Sequence, residues 1–331
     1  MATIDASISH PYKPIYKPIS AFRRYFNKNG WLMLLMLPGL IHILMIQYMP
    51  MFGIVIAFKD YKVKDGIFGS RFVGFENFKF LFGSGTAWHI TFNTVFMNML
   101  FIITGTVVAL ALALLLNEIY ASHLAQVYQF TLFIPFFIGS VIVGYIAYAI
   151  LSNNGFINYT LRSMGMEPIQ FYLEPDYWRV ILTSANLWMG LGFGTIIYLS
   201  GIISINPEFF EAAELDGAGK LQQIWHITLP LIRYLIVIQL LLAVGKIFFA
   251  NFGLFYLVPQ VYKNGALLPV VDVIDTFVFR ALNGGTMSGS SGIVKIGMAA
   301  AAGLYQSVVG FLLVIGANLF VKKISPDQAL F

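Results

Sequence analysis

The stretch EAAELDGAGKLQQIWHITLP, residues 211–230, sets carboxylates, glycines and a lysine close together. Phosphate chemistry is the first possibility such a set raises. GAGKL at 217–221 has the Gly-Lys ending of a phosphate-binding loop, whose backbone N–H groups cradle the anion while the lysine reaches it. The full pattern needs glycine at 214 and a hydroxyl at 221. The chain has Glu214 and Leu221 there, so the pattern fails. GLGFG at 190–194 lacks the last spacing of a dinucleotide fingerprint and lies inside an apolar run. The histidines His10, His42, His89, His123 and His226 are scattered without metal-ligand spacing. Cysteine is absent, which removes thiolate ligands, disulfides and a cysteine nucleophile. No Ser/His/Asp set stands out. The expectation is a chain that does no covalent chemistry, holds no metal and binds no nucleotide.

A second polar residue is out of place in another way. Lys246 lies in LLAVGKIFFANFG, near the middle of an apolar run and some ten residues from either end. A lysine at the centre of a membrane helix costs about 2.5–3.5 kcal/mol on insertion scales. Ten residues of helix are roughly 15 Å, so snorkelling recovers only part of that cost. A lysine placed so either faces a wet cavity and bonds backbone carbonyls, or meets an anion.

The elements that must position these residues are set by composition. Of 331 residues, 58% are hydrophobic and 11% charged, against about 25% charged in a soluble domain. Mean hydropathy is +0.78. Six runs reach the roughly 20 apolar residues of a helical span: about 31–58, 90–116, 129–151, 179–203, 230–257 and 293–321. No charge occurs between Lys28 and Lys59, Lys79 and Glu118, or Arg179 and Glu208. Transmembrane barrels need alternating segments of about ten residues, and these runs are continuous. The N-terminal run is too long for a signal peptide and lacks a cleavage site, so it is retained. Pro38-Gly39 and Pro50 predict a kink in the first span. Gly297, Gly303, Gly310 and Gly316 with Ala299–Ala302 predict close helix packing in the last. The net charge of +5 forms no basic stripe with interleaved aromatics, so nucleic acid is no partner.

With six spans both termini share a side. Leaving out Lys246 and Lys295 within the runs, Lys and Arg then divide nine against nine, and the total does not decide orientation. Residues 59–89, 152–178 and 258–292 lie opposite the termini, and none is large enough for a separate domain. VGFENFKFLFG predicts a short interfacial helix, and NGGTMSGSSG a flexible segment.

The opening stretch sits between two spans and reads as two short helices. Asn206 caps and Pro207 starts the first, which runs to Asp216 with Phe209, Ala212 and Ala213 on one face. Gly217 ends it in a left-handed turn. The second covers Leu221–Ile227, and Pro230 starts the next span. A plain connection would take about 2–8 residues. A helical pair of about 25 points to a docking surface.

These residues resemble the EAA loop of ABC-importer permeases. Glu211, Ala212, Ala213, Asp216, Gly217, Ala218, Ile227, Leu229 and Pro230 match its pattern. LMLPGLIHILMIQYMPMFGIVIAFKDY, VGFENFKFLF, NTVFMNML, ALLLNEIY and DVIDTFVFR extend the likeness over nearly all of residues 30–331, to the maltose-type sugar permeases and their lipoprotein or polysaccharide-uptake subgroup. The resemblance implies an all-α integral membrane chain: six transmembrane helices in the type I importer permease fold. It implies a cytoplasmic tail over 1–30, a permease domain over 31–321, a coupling loop over 205–230 and a cytoplasmic tail over 322–331. It implies a bacterial cytoplasmic membrane with both termini inside. Its partners would be a second permease, two ATPase subunits that hold ATP and Mg, an extracytoplasmic solute-binding protein and an oligosaccharide. Glu211 would bond the ATPase surface, and Gly217 would supply the turn.

Within that implied path, Lys246 would meet an acidic sugar such as a uronate, with Trp188 as a stacking surface and Asn251 beside it. The sugar itself is not legible. Two rivals remain at this point. An ion-coupled transporter usually carries buried carboxylates, and none of the six runs contains Asp or Glu in its core. A membrane glycan-processing or assembly protein would work without an ATPase.

Overall fold

Six helices of the computed structural model are long and apolar enough to cross a membrane: Lys28–Phe58, Ala87–Glu118, Ser140–Ser163, Pro175–Ile203, Lys220–Val244 and Ile296–Lys323. The structure describes residues 18–83, 85–119, 123–263, 265–283 and 296–324. The predicted NGGTMSGSSG segment, from 284 onward, lies outside the described residues. The chain divides into two units, Met1–Ile54 and Val55–Phe331.

The first unit is helical. Helix α1 (Pro18–Ile43) includes Pro38 without a break, and its non-helical backbone is at Asn29 instead. The winding changes later, to a π-turn at Leu44–Tyr48 and a 3-10 stretch over Met49–Phe58 that holds Pro50. Proline cannot donate to the helical ladder, and a change of winding is one way to accommodate it.

The second unit opens with a two-residue antiparallel ladder, β1 (Lys59–Asp60) on β2 (Arg71–Phe72), around α2 (Gly66–Gly69). The short helix expected in VGFENFKFLFG is α3 (Glu76–Gly83). Then follow α4 (Thr86–Glu118), α5 (His123–Phe133), α6 (Ser140–Leu151), α7 (Phe156–Ser163) and α8 (Trp178–Ile203). The polar loop holds α9 (Glu208–Leu215) and α10 (Lys220–Gln223), leading to α11 (Leu229–Val244). The chain ends through α12 (Phe252–Leu257), α13 (Leu268–Val271), α14 (Ile274–Leu282) and α15 (Ile296–Ile324).

Two predicted spans are corrected. The third, 129–151, is discontinuous. Pro135 sits in a 3-10 turn after α5, and Ile138 and Gly139 are extended before α6 starts. The fifth, 230–257, lies about ten residues too late. Its helix begins at Lys220 and stops at Val244, and nearly the last half of the predicted span is a turn plus α12. Apolarity continues past Gly245, so hydropathy alone does not register the stop.

The discontinuities are packed, not loose. Trp178, Leu182, Leu254, Phe255, Val258 and Val271 are fully buried in one cluster that joins α8 to the segments after α11. The outer segment 258–292, expected to be too small for a domain of its own, is folded into the core over its described part. Asp272 is 3% exposed and pairs with Arg280. It also accepts from Thr276 Oγ1 at 2.9 Å. Burial pushes the Asp272 carboxyl up, while Arg280 and Thr276 pull it down. Asn93 donates to the carbonyls of Pro269 and Asp272, and Thr94 Oγ1 accepts from Ile274 N–H. DVIDTFVFR, one of the stretches behind the resemblance, is therefore a self-capping helix start pinned to α4.

GLGFG also has a structural meaning. A Cβ on Gly192 would run into the Leu132 carbonyl and lie 2.7 Å from Phe133 Cα, where α8 crosses the end of α5. In α15, a Cβ on Gly297 would come within 2.6 Å of Lys59 O and 2.7 Å of Asn77 Nδ2. Gly303 and Gly316 have nothing within 4 Å, so close packing accounts for only part of the predicted small-residue stripe.

Gly192→Ala should therefore destabilise the protein by about 1–3 kcal/mol through overpacking. Gly190→Ala, with nothing within 4 Å, should stay within about 0.5 kcal/mol. Thermal unfolding in detergent checks both; equal midpoints would remove the proposed backbone contact.

Candidate functional site

The polar loop 205–230 is built rigidly from local bonds. Asn206 Oδ1 accepts from Glu208 N–H at 3.2 Å and opens α9. At the other end, Ala218 N–H donates to Ala213 O and Gly217 N–H to Glu214 O. This pair of bonds is the Schellman closure, which requires a left-handed residue between helix and exit. Gly217 takes φ +79°, the left-handed turn expected for it. Gln222 Oε1 accepts from Gly219 N–H to start α10, and buried Gln223 donates to Ala218 O. Lys220 Nζ lies 3.1 Å from Glu214 Oε1 and holds that carboxyl below its usual range. Both ends of the pair are exposed, so it orients more than it stabilises.

The second helix differs from the expected one. It does not end before Pro230. The winding widens to a π-turn at Ile224–Thr228, closed by Leu229 N–H to Ile224 O, and continues into α11. A wide turn relieves the clash of a proline ring with the carbonyl four residues back. Pro230 is thus inside one helix running from Lys220 to Val244, not at its start. The two-helix loop remains, but its second arm is the span itself.

The loop presents apolar side chains outward. Leu215 is 90% exposed, and Leu221, Trp225 and Phe209 are also exposed. Phe209 and Ala212 of the predicted face are exposed, whereas Ala213 is half-buried and Phe210 turns inward beside Leu114 and Asn117. Glu211 is exposed in the first turn of α9. A shallow cavity of about 330 Å³ opens beside Ala213, Asp216, Gly217, Ala218 and Ile227. Leu229 is half-buried.

At the far end of the Lys220–Val244 helix lies a larger cavity, of about 340 Å³, between α4, α8 and α11. Its polar lining includes Asn98, Thr106, Asn186, Tyr198, Gln239 and Lys246. Of the three residues singled out for a path, only Lys246 lines it. Trp188 is half-exposed on α8 and outside the lining. Asn251 caps α12, where its Oδ1 accepts from Leu254 N–H. The amides Asn98, Asn186 and Gln239 were the missed signal: uncharged hydrogen-bonding groups inside apolar runs.

Lys246 also corrects the expectation of a mid-helix lysine. It sits in a turn after α11 has ended. Lys246, Ile247 and Phe249 N–H donate three residues back, to Ala243, Val244 and Lys246. The other groups of the turn find side chains. Asn98 Nδ2 donates to Ile247 O at 3.0 Å, and Gln306 Nε2 to Phe248 O at 2.6 Å. Ala250 N–H donates to Asp275 Oδ2 at 2.8 Å, which also accepts from Gln306. Helices α4, α14 and α15 each contribute one of these three residues. Asp275 stands in the first turn of α14, where the helix dipole favours a carboxylate. Among the described residues the salt bridges are Lys220–Glu214 and Asp272–Arg280, and Lys246 is in neither.

A model of the family described as "Binding-protein-dependent transport system inner membrane component" matches residues 95–326. Protein LplB of Bacillus subtilis (strain 168) is 34% identical over 331 residues, covering 99% of each chain. The polygalacturonan/rhamnogalacturonan transport system permease protein YteP of the same strain is 36% identical over 302 residues, covering 91% of this chain and 90% of YteP. Among solved structures, a chain of a bacterial ABC transporter that imports the acidic polysaccharide alginate superposes with a TM-score of 0.80 at 30% identity, covering 92% of this chain and 99% of that one.

The turn after α11 makes a prediction. Gln306→Leu keeps the bulk but leaves Phe248 O without its donor, at a cost of about 1–3 kcal/mol. Ser307→Ala, whose exposed hydroxyl bonds only within its own helix, should cost almost nothing. A wild-type unfolding midpoint for Gln306→Leu would show that the turn does not depend on this bond.

Proposed function

The chain belongs to the family of binding-protein-dependent transport system inner membrane components, and we propose that it forms half of an oligosaccharide path in an ATP-driven importer. It is a multi-pass inner membrane permease subunit of the sugar and polysaccharide ABC importers. In the proposed assembly a second permease supplies the other wall, two cytoplasmic ATPases hold ATP and Mg, and a solute-binding protein delivers the sugar. The loop 205–230 and both termini then face the cytoplasm, and the chain needs no cofactor of its own.

One observation carries this reading. A single helix, Lys220–Val244, joins the exposed loop to the turn that holds Lys246. Its 25 residues span about 37 Å. Packed helices move as units, so a displacement at the loop reaches the cavity wall without a hinge between. Glu211 and the exposed Leu215, Leu221 and Trp225 would seat on the ATPase, with Ala212, Ala213 and Asp216 beside them. Gly217, Ile227, Leu229 and Pro230 would keep the seat in register with the span. At the other end Lys246 and the amides of Asn98, Asn186 and Gln239 would meet the sugar. The cation favours an acidic oligosaccharide derived from a polysaccharide. The names of YteP and of the alginate importer are consistent with that class. Trp188 and Asn251, which do not line this cavity in the single chain, would contribute only through the partner permease's side.

Gly217→Val forces a β-branched residue into a left-handed backbone, a strain of about 1–3 kcal/mol. Uptake by the reconstituted complex should collapse while the complex still binds its delivery protein. Unchanged substrate-stimulated ATP hydrolysis and uptake would refute the coupling role. Glu211→Ala should weaken ATPase association in the same assay.

Lys246→Met keeps length and removes charge. Uptake of an acidic oligosaccharide should fall about tenfold, the loss of one charge-assisted hydrogen bond. A neutral oligosaccharide, if carried, should be unaffected. Equal acidic uptake at matched expression would remove Lys246 from the path. Sugar flux through the chain in liposomes without any ATPase would overturn the importer reading altogether.

A further inference from the structure

A second cavity, of about 290 Å³, lies at the opposite end of α8 from the loop 205–230. It forms where residues 152–154, 170–173 and 259–263 meet, just before α8 begins. The 26 residues of α8 put about 39 Å between its two ends. The Lys246 cavity lies along that helix, between Asn186 and Tyr198.

The lining is polar and aromatic, with no Asp or Glu among the described residues. Tyr148 and Tyr172 form one side, their ring centroids 5.8 Å apart. Asn153, Gln170 and Gln260 supply amides. Lys263 Nζ stands 5.1 Å from the Tyr148 ring centroid and 5.7 Å from that of Tyr262. An ammonium over aromatic faces keeps N–H groups for an anion, which a carboxylate partner would occupy. Arg162 bonds Asn154 at the rim and adds a second positive charge.

The cavity walls are also fixed in place. Asn158 is fully buried, donates to Ser152 O and Ile169 O, and accepts from Ile169 N–H. One side chain thus clamps both flanking loops. Trp178 Nε1 holds Phe171 O at 2.6 Å. Gln260 is 6% exposed and takes φ +51°, the one positive φ among described non-glycine residues. Such a backbone is strained and persists only where the surroundings over-determine it. Burial, with Tyr148 and Tyr262 beside it, pushes the Tyr172 hydroxyl up. Pre-set walls reduce the ordering cost of binding.

We propose that this cavity is a sugar subsite outside the Lys246 cavity, which takes one uronate residue of an acidic oligosaccharide: Lys263 binds the carboxylate, Tyr148 and Tyr172 wall the ring, and the amides bond hydroxyls. The proposal rests on the importer reading and extends it to the receiving end of the path.

The test uses the complete complex in lipid nanodiscs, without the binding protein, and a trigalacturonate probe carrying a photoreactive diazirine. Label should appear on peptides from 148–173 or 259–263, and excess trigalacturonate should displace it where neutral galactotriose does not. Lys263→Met should weaken this labelling about tenfold, Lys263→Arg should restore it, and Lys246→Met should leave it in place. Label confined to peptides from 98–106, 186–198 and 239–249 would overturn the subsite and leave the importer reading standing. Equal displacement by galactotriose would overturn the uronate preference. If Lys263→Met instead raises the amount of substrate-free binding protein needed to stimulate ATP hydrolysis, with labelling unchanged, the cavity docks that protein and the sugar subsite is wrong. No ATP-dependent uptake by the wild-type complex in proteoliposomes supplied with its binding protein, together with no labelling at all in nanodiscs, would count against the importer reading itself.

Discussion

Every backbone N–H and C=O at membrane depth must find a partner inside the protein, because lipid offers none. A straight helix meets that demand by itself. A helix that stops inside an apolar run does not, and the chain after Val244 stops there. The structure meets the demand with Asn98, Gln306 and Asp275, one residue from each of three other helices. Those three bonds fix where α11 ends, and so fix where Lys246 stands. The same requirement recurs at the start of α14, where Asn93, Thr94, Asp272 and Thr276 satisfy the groups between Pro269 and Ile274. Both breaks border the segment that would otherwise be a simple connection, and their satisfaction draws it into the core.

A satisfied break is stiff, and stiffness gives the Lys220–Val244 helix its proposed use. At one end the Schellman closure and the Glu214–Lys220 pair hold α9 against α10. At the other the turn is tied to α4, α14 and α15. Between them Pro230 is absorbed by a π-turn without interrupting the rod. A force applied to α9 has few soft points at which to dissipate before it reaches the cavity. A helix that truly began at Pro230 would have put a joint in the middle of that route.

The sequence carried the parts of this architecture that depend on local chemistry. Gly217 as a left-handed stop needs only its neighbours to be recognised, and Asn206-Pro207 as a helix start likewise. The presence of six spans follows from apolar length. What depends on tertiary satisfaction was not legible. Hydropathy runs unbroken through Gly245, Lys246 and Ile247, so the end of α11 is invisible until Asn98, Gln306 and Asp275 are seen to converge on it. Lys246 drew notice by its charge, but its cavity partners are amides on other helices. Asn251 was proposed from its nearness to Lys246 in sequence and Trp188 as a stacking surface, and the turn sends Asn251 to a cap instead. The reason for Gly192 in GLGFG lies in Leu132 and Phe133, some sixty residues earlier.

The two cavities share one electrostatic design. Each has a lysine that meets no carboxylate among the described residues, and each surrounds it with groups that do not neutralise it: amides beside Lys246, aromatic faces beside Lys263. A carboxylate in either place would hold the lysine in a stable pair and oppose an anion. On the proposed route this matters for release as much as for capture, since a path must bind strongly enough to admit a solute and weakly enough to let it go. A single cation in a wet cavity offers an anion a modest, screened attraction rather than a desolvated pair. Passing a uronate from Lys263 to Lys246 would then exchange one such attraction for another of similar size, which leaves the direction of travel to the helices that move and not to the sites themselves.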